Sequence, residues 1–444
     1  MSRRIKKIQD NDRTYNFLYH YVSFVLKLSY RSILHVGKEN IPKDGAIIFA
    51  PNHTNTLMDA LVVLVMDHKP KVFVARADIF KNRKLAKIFT FLKIMPIMRQ
   101  RDGFQAVKKN QETIDKAVDV LKDKIPFCIF PEGTHLAKFS SLPLSKGIFK
   151  IAFQAHEQMQ QVPLYIVPVG IRYGNHFRYR STVRLQFGKP INVGEYLSEN
   201  ENLTVQEQTN GMKDLLTERL HETLYLIPND ENYNATYEIC NAVEFIEVKK
   251  LLKDKECRNK HLLELQFQAN NQTLKRIDAL KNNNPDKANK VFELANKAYR
   301  LRTKKGIDEE SVSINKPLIS RIMRVFMTLI TLPYTIPVSI LASPLSLICK
   351  YIFTMLKDPA FRNSVRFLMN LFVWPLLVII YTLIAFILLP WQAEFIVMLL
   401  ILPAPYVAHE VWKTGRLVVS DIKLNRENKL KRIYSQIREM IMES

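Results

Sequence analysis

Cysteine and acidic residues are what this sequence has little of. Four cysteines are spread over 444 residues, Cys128, Cys240, Cys257 and Cys349, and no two stand at Cys-x-x-Cys spacing. That excludes a disulfide framework, and no partner histidines suggest a zinc site. Cys128 lies in an apolar run and Cys349 in a lipid-like one, so both read as small apolar fillers in a reducing, cytosolic setting. Acidic residues number 42 against 65 lysines and arginines, a net charge of +23. Such an excess attracts a polyanion, either nucleic acid or an anionic lipid surface. No nucleic-acid recognition motif stands out, and nucleic acid leaves the charge-free runs after Val325 unexplained, so no nucleic-acid partner is expected. No internal repeat is evident. The apolar stretch FLYHYVSFVLKLSYRSILHV, from Phe17, carries His20, Lys27 and Arg31 and lacks a small-residue cleavage site. It therefore reads neither as a signal peptide nor as a spanning helix.

Within that stretch Phe17, Tyr21, Phe24, Val25 and Leu28 fall at helical spacing beside basic residues. Residues 1–32 are expected to form an amphipathic helix, lying on a membrane surface or packed on the chain's own core. Residues 33–227 alternate short apolar runs (AIIFA, KVFVA, IPFCIF, LYIVPVGIRY, TVRLQFG) with helical patterns (ALVVLVM, FQAVKKNQETIDKAVDVLKD, GIFKIAFQAHEQM). Strands separated by helices predict an α/β layered domain. Pro168, inside LYIVPVGIRY, predicts a strand with an edge or a bulge. Residues 205–227 place Met212, Leu215, Leu216, Leu220, Leu224 and Ile227 on one helical face, which should close the domain. Residues 228–316 are polar and charged and are expected to form a helical arm.

From Val325 the chain becomes lipid-like. Val325–Cys349 and Phe367–Ala393 contain no charge, and a third apolar piece, Phe395–Ala408, is too short to span comfortably alone. Prolines at 333, 337, 344, 375, 390, 403 and 405 argue against straight helices. Lysines and arginines flank every run. Basic flanks mark the cytoplasmic side, so residues 317–412 are expected to enter and leave there as membrane hairpins, the second turning near Pro390. Two single spans are the competing topology. Residues 413–444 form a basic helical tail.

The chemistry sits in four elements. FAPNHTNTLMDAL places His53 after an apolar strand and Asp59 at the start of an apolar helix. Positions six apart do not share a helix face, so His53 must lie in the loop if Asp59 is to reach it. An imidazole held by a carboxylate is a general base; the bland reading is a helix cap beside an incidental histidine. FPEGTH follows the next strand: Gly133 allows a tight turn, Thr134 adds a hydroxyl, and a helix begins after Lys146. Such a turn binds an anion. Glu132 is odd there unless it bonds substrate hydroxyls or organises cations. Arg99 and Arg101 in IMPIMRQRDG are natural phosphate clamps after a strand, or simply solvated arginines. The fourth element is the apolar VP of LYIVPVGIRY.

Taken together, NHxxxxxD, an arginine after an apolar strand, FPEGT and an apolar VP element resemble the glycerolipid acyltransferase family, the glycerol-3-phosphate and 1-acylglycerol-3-phosphate O-acyltransferases. The resemblance covers about residues 30–225. The spacing between His53 and Asp59 is one residue longer than usual, as in the subgroup that includes fungal glycerol-3-phosphate acyltransferases. His135 stands where the family usually has arginine, and Lys93 and Ile94 replace an expected glycine neighbourhood.

The resemblance implies a layered domain with a mixed sheet flanked by helices. It implies acyl transfer from acyl-CoA or acyl carrier protein to a glycerol phosphate acceptor, at an anionic phospholipid membrane and on its cytoplasmic side. His53 would be the base, oriented by Asp59. Arg99, with Arg101 and Lys146 as weaker candidates, would hold phosphate. Glu132, Gly133 and Thr134 would position the acceptor. No metal and no cofactor are implied, the thioester being a co-substrate. A metal hydrolase using His53, Asp59, Glu132 and His135, and a lipid-binding protein with a vestigial catalytic domain, are the rival readings.

Overall fold

A computed structural model of the chain describes residues 7–98, 110–159, 162–313 and 318–443. It divides into two compact units. The first comprises Met1–Leu224 with Leu356–Leu371; the second comprises Tyr225–Met355 with Phe372–Ser444.

The first unit is built on a mixed sheet, with eight strands among the described residues. They are β1 (Ser32–Val36), β2 (Ala46–Pro51), β3 (Val72–Arg76), β4 (Ile94–Ile97), β5 (Phe127–Cys128), β6 (Leu164–Tyr173), β7 (Thr182–Phe187) and β8 (Ile191–Asn192). The order is β1-β7-β6-β2-β5-β3-β4, with β8 on β6. β2 pairs in parallel with both β5 and β6, β3 with β4 and β5, and β1 with β7. β7 and β8 run antiparallel to β6. Central parallel strands are covered on both faces, which is why AIIFA and IPFCIF are continuous apolar runs rather than alternating ones. Phe49, Met58, Val62, Val167, Val169 and Phe187 share one core.

β1 is not among the strands expected from the sequence. Its residues are only half-buried, so it carries no strong pattern. Pro168 is not on an edge strand: β6 sits between β7 and β2. Its missing N–H is tolerated because β6 changes antiparallel neighbour there. β8 pairs at Tyr165 and Ile166, β7 from Val169 onward, and the Pro168 carbonyl accepts from Gly188 N at 2.9 Å.

The helix Arg13–Ser29 buries Val25 and Leu26 in this core and leaves Phe17 and Phe24 exposed. The helix Val205–His221 starts with a capping box of Thr204 and Glu207 and buries Met212, Leu216 and Leu220. It ends earlier than the apolar spacing suggests, because Thr223 Oγ donates to Leu220 O at 2.6 Å and turns the chain.

In the second unit the helices Tyr233–Leu251, Leu262–Asn283, Pro285–Lys305 and Asn428–Met442 share a core of Ile239, Val243, Ile277, Val291, Phe292, Leu430, Ile433 and Ile437. The described part of the 228–316 segment and the C-terminal helix therefore pack as one body. Among the described residues, two helices are long and apolar enough to cross a membrane, Ile322–Leu341 and Phe361–Leu388; a bent pair, Ala393–Ile401 with Ala404–Arg426, makes a third if counted as one span. Where these helices end, side-chain donors meet the freed carbonyls: Tyr381 bonds Leu341 O, Tyr334 bonds Leu400 O and Trp374 bonds Leu402 O. Pro333 and Pro337 are accommodated inside the helix Leu318–Leu341. Phe361–Leu371 belongs to the first unit, and Phe367 and Leu371 lie in its core rather than on an open apolar face.

Candidate active site

All the parallel strands β2, β3, β4, β5 and β6 point their C-terminal ends to one edge of the sheet, the edge where open α/β sheets place ligands. Asn52 closes β2 by bonding both ways to Ile171 in β6: its Oδ1 accepts from Ile171 N at 2.7 Å and its Nδ2 donates to Ile171 O at 3.1 Å. The chain then curls through buried Thr54, Asn55 and Thr56. Thr56 takes φ +50°, a left-handed value that a β-branched residue adopts only under constraint. Its hydroxyl is held by Ser364 Oγ at 2.8 Å. This turn launches the helix Leu57–Leu64 with Asp59 in its first turn, where the helix dipole favours a carboxylate.

The curl brings His53 onto Asp59. Asp59 Oδ2 receives His53 Nδ1 at 2.8 Å, Thr54 N at 2.8 Å and Asn55 N at 2.6 Å; its Oδ1 receives the Tyr173 hydroxyl at 2.7 Å. Asp59 is wholly buried, whereas the His53 ring keeps 20% of its surface open. A carboxylate bonded to Nδ1 fixes the tautomer with the proton there, leaving the Nε2 lone pair as the base. Phe130 backs the ring, centroids 4.4 Å apart.

The second loop interlocks with the first. Glu132 Oε2 accepts from His53 N at 3.1 Å, and Leu136 N donates to His53 O at 3.0 Å. Glu132 Oε1 takes a long bond from Leu142 N at 3.4 Å. Burial pushes the Glu132 carboxyl up to about 8, and these two backbone bonds offset only part of that. Glu132 is thus buried against the base's own backbone. Gly133 sits at φ +65°, with nothing near its missing Cβ, so conformation and not space is what calls for glycine. Gly133 and Thr134 are exposed on the turn. Lys146 is exposed at the start of the helix Gly147–Gln158; its neighbour Ser145 donates to Pro131 O at 2.7 Å. Arg99 and Arg101 lie outside the described residues. The structure therefore joins His53, Asp59 and Glu132 directly, while Gly133, Thr134 and Lys146 are exposed on the segment that follows β5.

Three neighbours, Tyr173, His176 and Asp358, were not singled out from the sequence. Tyr173 ends β6 beside β2 and fills the free oxygen of Asp59. His176, buried and pushed down to about 4 by desolvation, offers its carbonyl to both Asn55 and Asn363. His135 bonds Asp358 Oδ2 through Nε2 at 2.7 Å and meets the His53 ring edge-on at 5.7 Å. Tyr173 carried one signal, its place at the end of an apolar strand. Asp358 carried none, being 223 residues away.

Residues 32–172 match the family model named Acyltransferase. The chain is 29% identical over 121 residues to glycerol-3-phosphate O-acyltransferase 2 of Saccharomyces cerevisiae, covering 26% of this chain and 16% of that one. It is 25% identical over 155 residues to a probable 1-acyl-sn-glycerol-3-phosphate acyltransferase of Mycoplasma pneumoniae, covering 34% and 54%. Each match therefore spans well under two thirds of the relative's length. A solved 1-acyl-sn-glycerophosphate acyltransferase of Thermotoga maritima aligns at 21% identity and a TM-score of 0.35, over 48% of this chain and 82% of that one. The stretch that matches the acyltransferase family model lies in the sheet-based unit of this chain and contains the paired His53 and Asp59.

Proposed function

We propose that the first unit transfers a fatty acyl group from a thioester, acyl-CoA or acyl carrier protein, to a hydroxyl of glycerol 3-phosphate or 1-acylglycerol 3-phosphate at a membrane surface. The observation that carries this reading is the 2.8 Å bond from His53 Nδ1 to a buried Asp59 that also holds two backbone N–H groups and a tyrosine hydroxyl. His53 Nε2 takes the proton from the acceptor hydroxyl. The resulting oxygen nucleophile attacks the thioester carbonyl carbon, forming the new C–O bond. Collapse of the tetrahedral adduct breaks the C–S bond, and the imidazolium returns its proton to the departing thiolate. Asp59 stabilises that imidazolium while it exists. The +23 charge suits a polyanionic donor and an anionic leaflet on the cytoplasmic side. Arg99, Arg101 and Lys146 are the candidate phosphate ligands, and Gly133 and Thr134 line the acceptor's approach.

The experiment is acyl transfer by the purified full chain from labelled acyl-CoA or acyl carrier protein, offered each acceptor separately. Labelled lysophosphatidate or phosphatidate is the expected product. Absence of product with every pairing, from protein that melts cooperatively, contradicts the reading.

A further inference from the structure

The connection between β3 and β4 contains a helix, Arg83–Phe91, capped by Asn82, whose side chain accepts from Lys84 N and Leu85 N. None of its residues is buried. Leu85, Ile88 and Leu92, spaced at three and four, share one face and are 44%, 51% and 37% exposed. Ile79 and Phe91 add further open apolar surface. Lys84 flanks that face next to Ile88, Arg83 and Lys87 lie on the far side, and no acidic residue occurs between Ile79 and Met98. A helix of a water-facing domain turns such an apolar face inward. This one is held to the domain by other side chains: Phe89 packs on Phe80 at 5.2 Å and Phe91 meets Tyr15 edge-on at 6.3 Å. That leaves the Leu85–Ile88–Leu92 face outward.

We propose that the helix Arg83–Phe91 is a lipid-contacting element, lying in the interface of an anionic bilayer with Leu85, Ile88 and Leu92 among the upper acyl chains. An apolar face bordered by cations and free of carboxylates is the pattern that such a surface takes up. The same chain carries helices long and apolar enough to cross a bilayer. The connection also leaves β3 at the sheet edge that bears His53 and Glu132. This deepens the reading of the unit as an enzyme of lipid substrates and rests on it for the biological setting, but the test does not use catalysis.

All four native cysteines are buried. Ile88→Cys in the full chain is labelled with an environment-sensitive dye and reconstituted into vesicles of phosphatidylcholine and phosphatidylglycerol. Lys116→Cys, on the exposed side of the helix Asn110–Lys122, is the reference. The expected result is a blue-shifted dye at 88, quenched by lipids brominated near the top of the acyl chain at least about twofold more than at 116. Leu85→Cys should behave like 88, which guards against a local misfit of one variant. Quenching at 85 and 88 no greater than at 116 overturns the proposal. So does a dye shielded from water yet unquenched by brominated lipid, which would mean that protein covers the face. Either failure leaves the acyl-transfer assay free to succeed.

Discussion

Among the described residues, two carboxylates are withdrawn completely from water, Asp59 in the sheet unit and Glu238 in the helical unit, and their partners differ. Glu238 is closed by a permanent cation: Arg302 Nε donates to Oε1 at 2.8 Å and Nη2 to Oε2 at 2.9 Å, and the Tyr434 hydroxyl also donates to Oε1. Arg302 is itself nearly buried, so this cluster is sealed. Among the described residues, Asp59 has no lysine or arginine partner. Its oxygens are filled by two backbone N–H groups, a tyrosine and an imidazole whose far side stays open. A buried charge compensated on all sides serves the fold. A buried charge wired to a half-open titratable ring can move a proton. Burial alone does not separate the two; the partner's access to solvent does.

That contrast is broken most directly by exchanging the consequences. Asp59→Asn should lower turnover by about 10³-fold, since an amide cannot stabilise the imidazolium, while leaving the melting temperature nearly intact. Arg302→Ala should do the reverse. It strands the Glu238 charge and should cost about 3–5 kcal/mol of stability, with turnover per folded molecule unchanged. Parallel thermal melts and acyl-transfer assays on both variants check the pair.

A smaller effect sharpens the comparison within the site. The folded protein holds the Glu132 proton up to about pH 8, whereas the ordinary carboxyl releases it near 4.5. Between those values the native state binds the extra proton, so raising the pH destabilises it, by at most about 1.4 kcal/mol per pH unit. Glu132→Gln removes this dependence. Thermal melts across that window should show the wild-type protein losing stability with rising pH and the variant staying flatter. The smallest effect belongs to His135 and Asp358, a half-open pair. Asp358→Asn should cost under about 1 kcal/mol and leave the maximal rate unchanged. A larger fall in that rate would place His135 among the reacting groups.

How much of this was legible depended on range. NHTNTLMD contains both members of the dyad and the polar loop that folds one onto the other, so local geometry sufficed. The strands β2, β3, β5, β6 and β7 were readable because burial imposes apolar runs or alternation. β1 was not, because its residues are only half-buried and its pairing with β7 lies 150 residues away. Glu132 read as an awkward residue in an anion-binding turn; only the folded loops show its carboxyl turned to the His53 backbone. Tyr173 acquires its role from the β2–β6 pairing, and Asp358 from a segment joining two apolar runs. The first leaves only the place of Tyr173 at the end of an apolar strand as a local trace, and the second leaves none.

The most direct measurement is turnover of the full chain with His53→Ala beside wild type, using labelled acyl-CoA and the better acceptor, with melts on both. If His53 is the base held by Asp59, the variant melts like wild type and forms product at least about 10³-fold more slowly. Product formed at the wild-type rate by a folded His53→Ala protein would contradict the account.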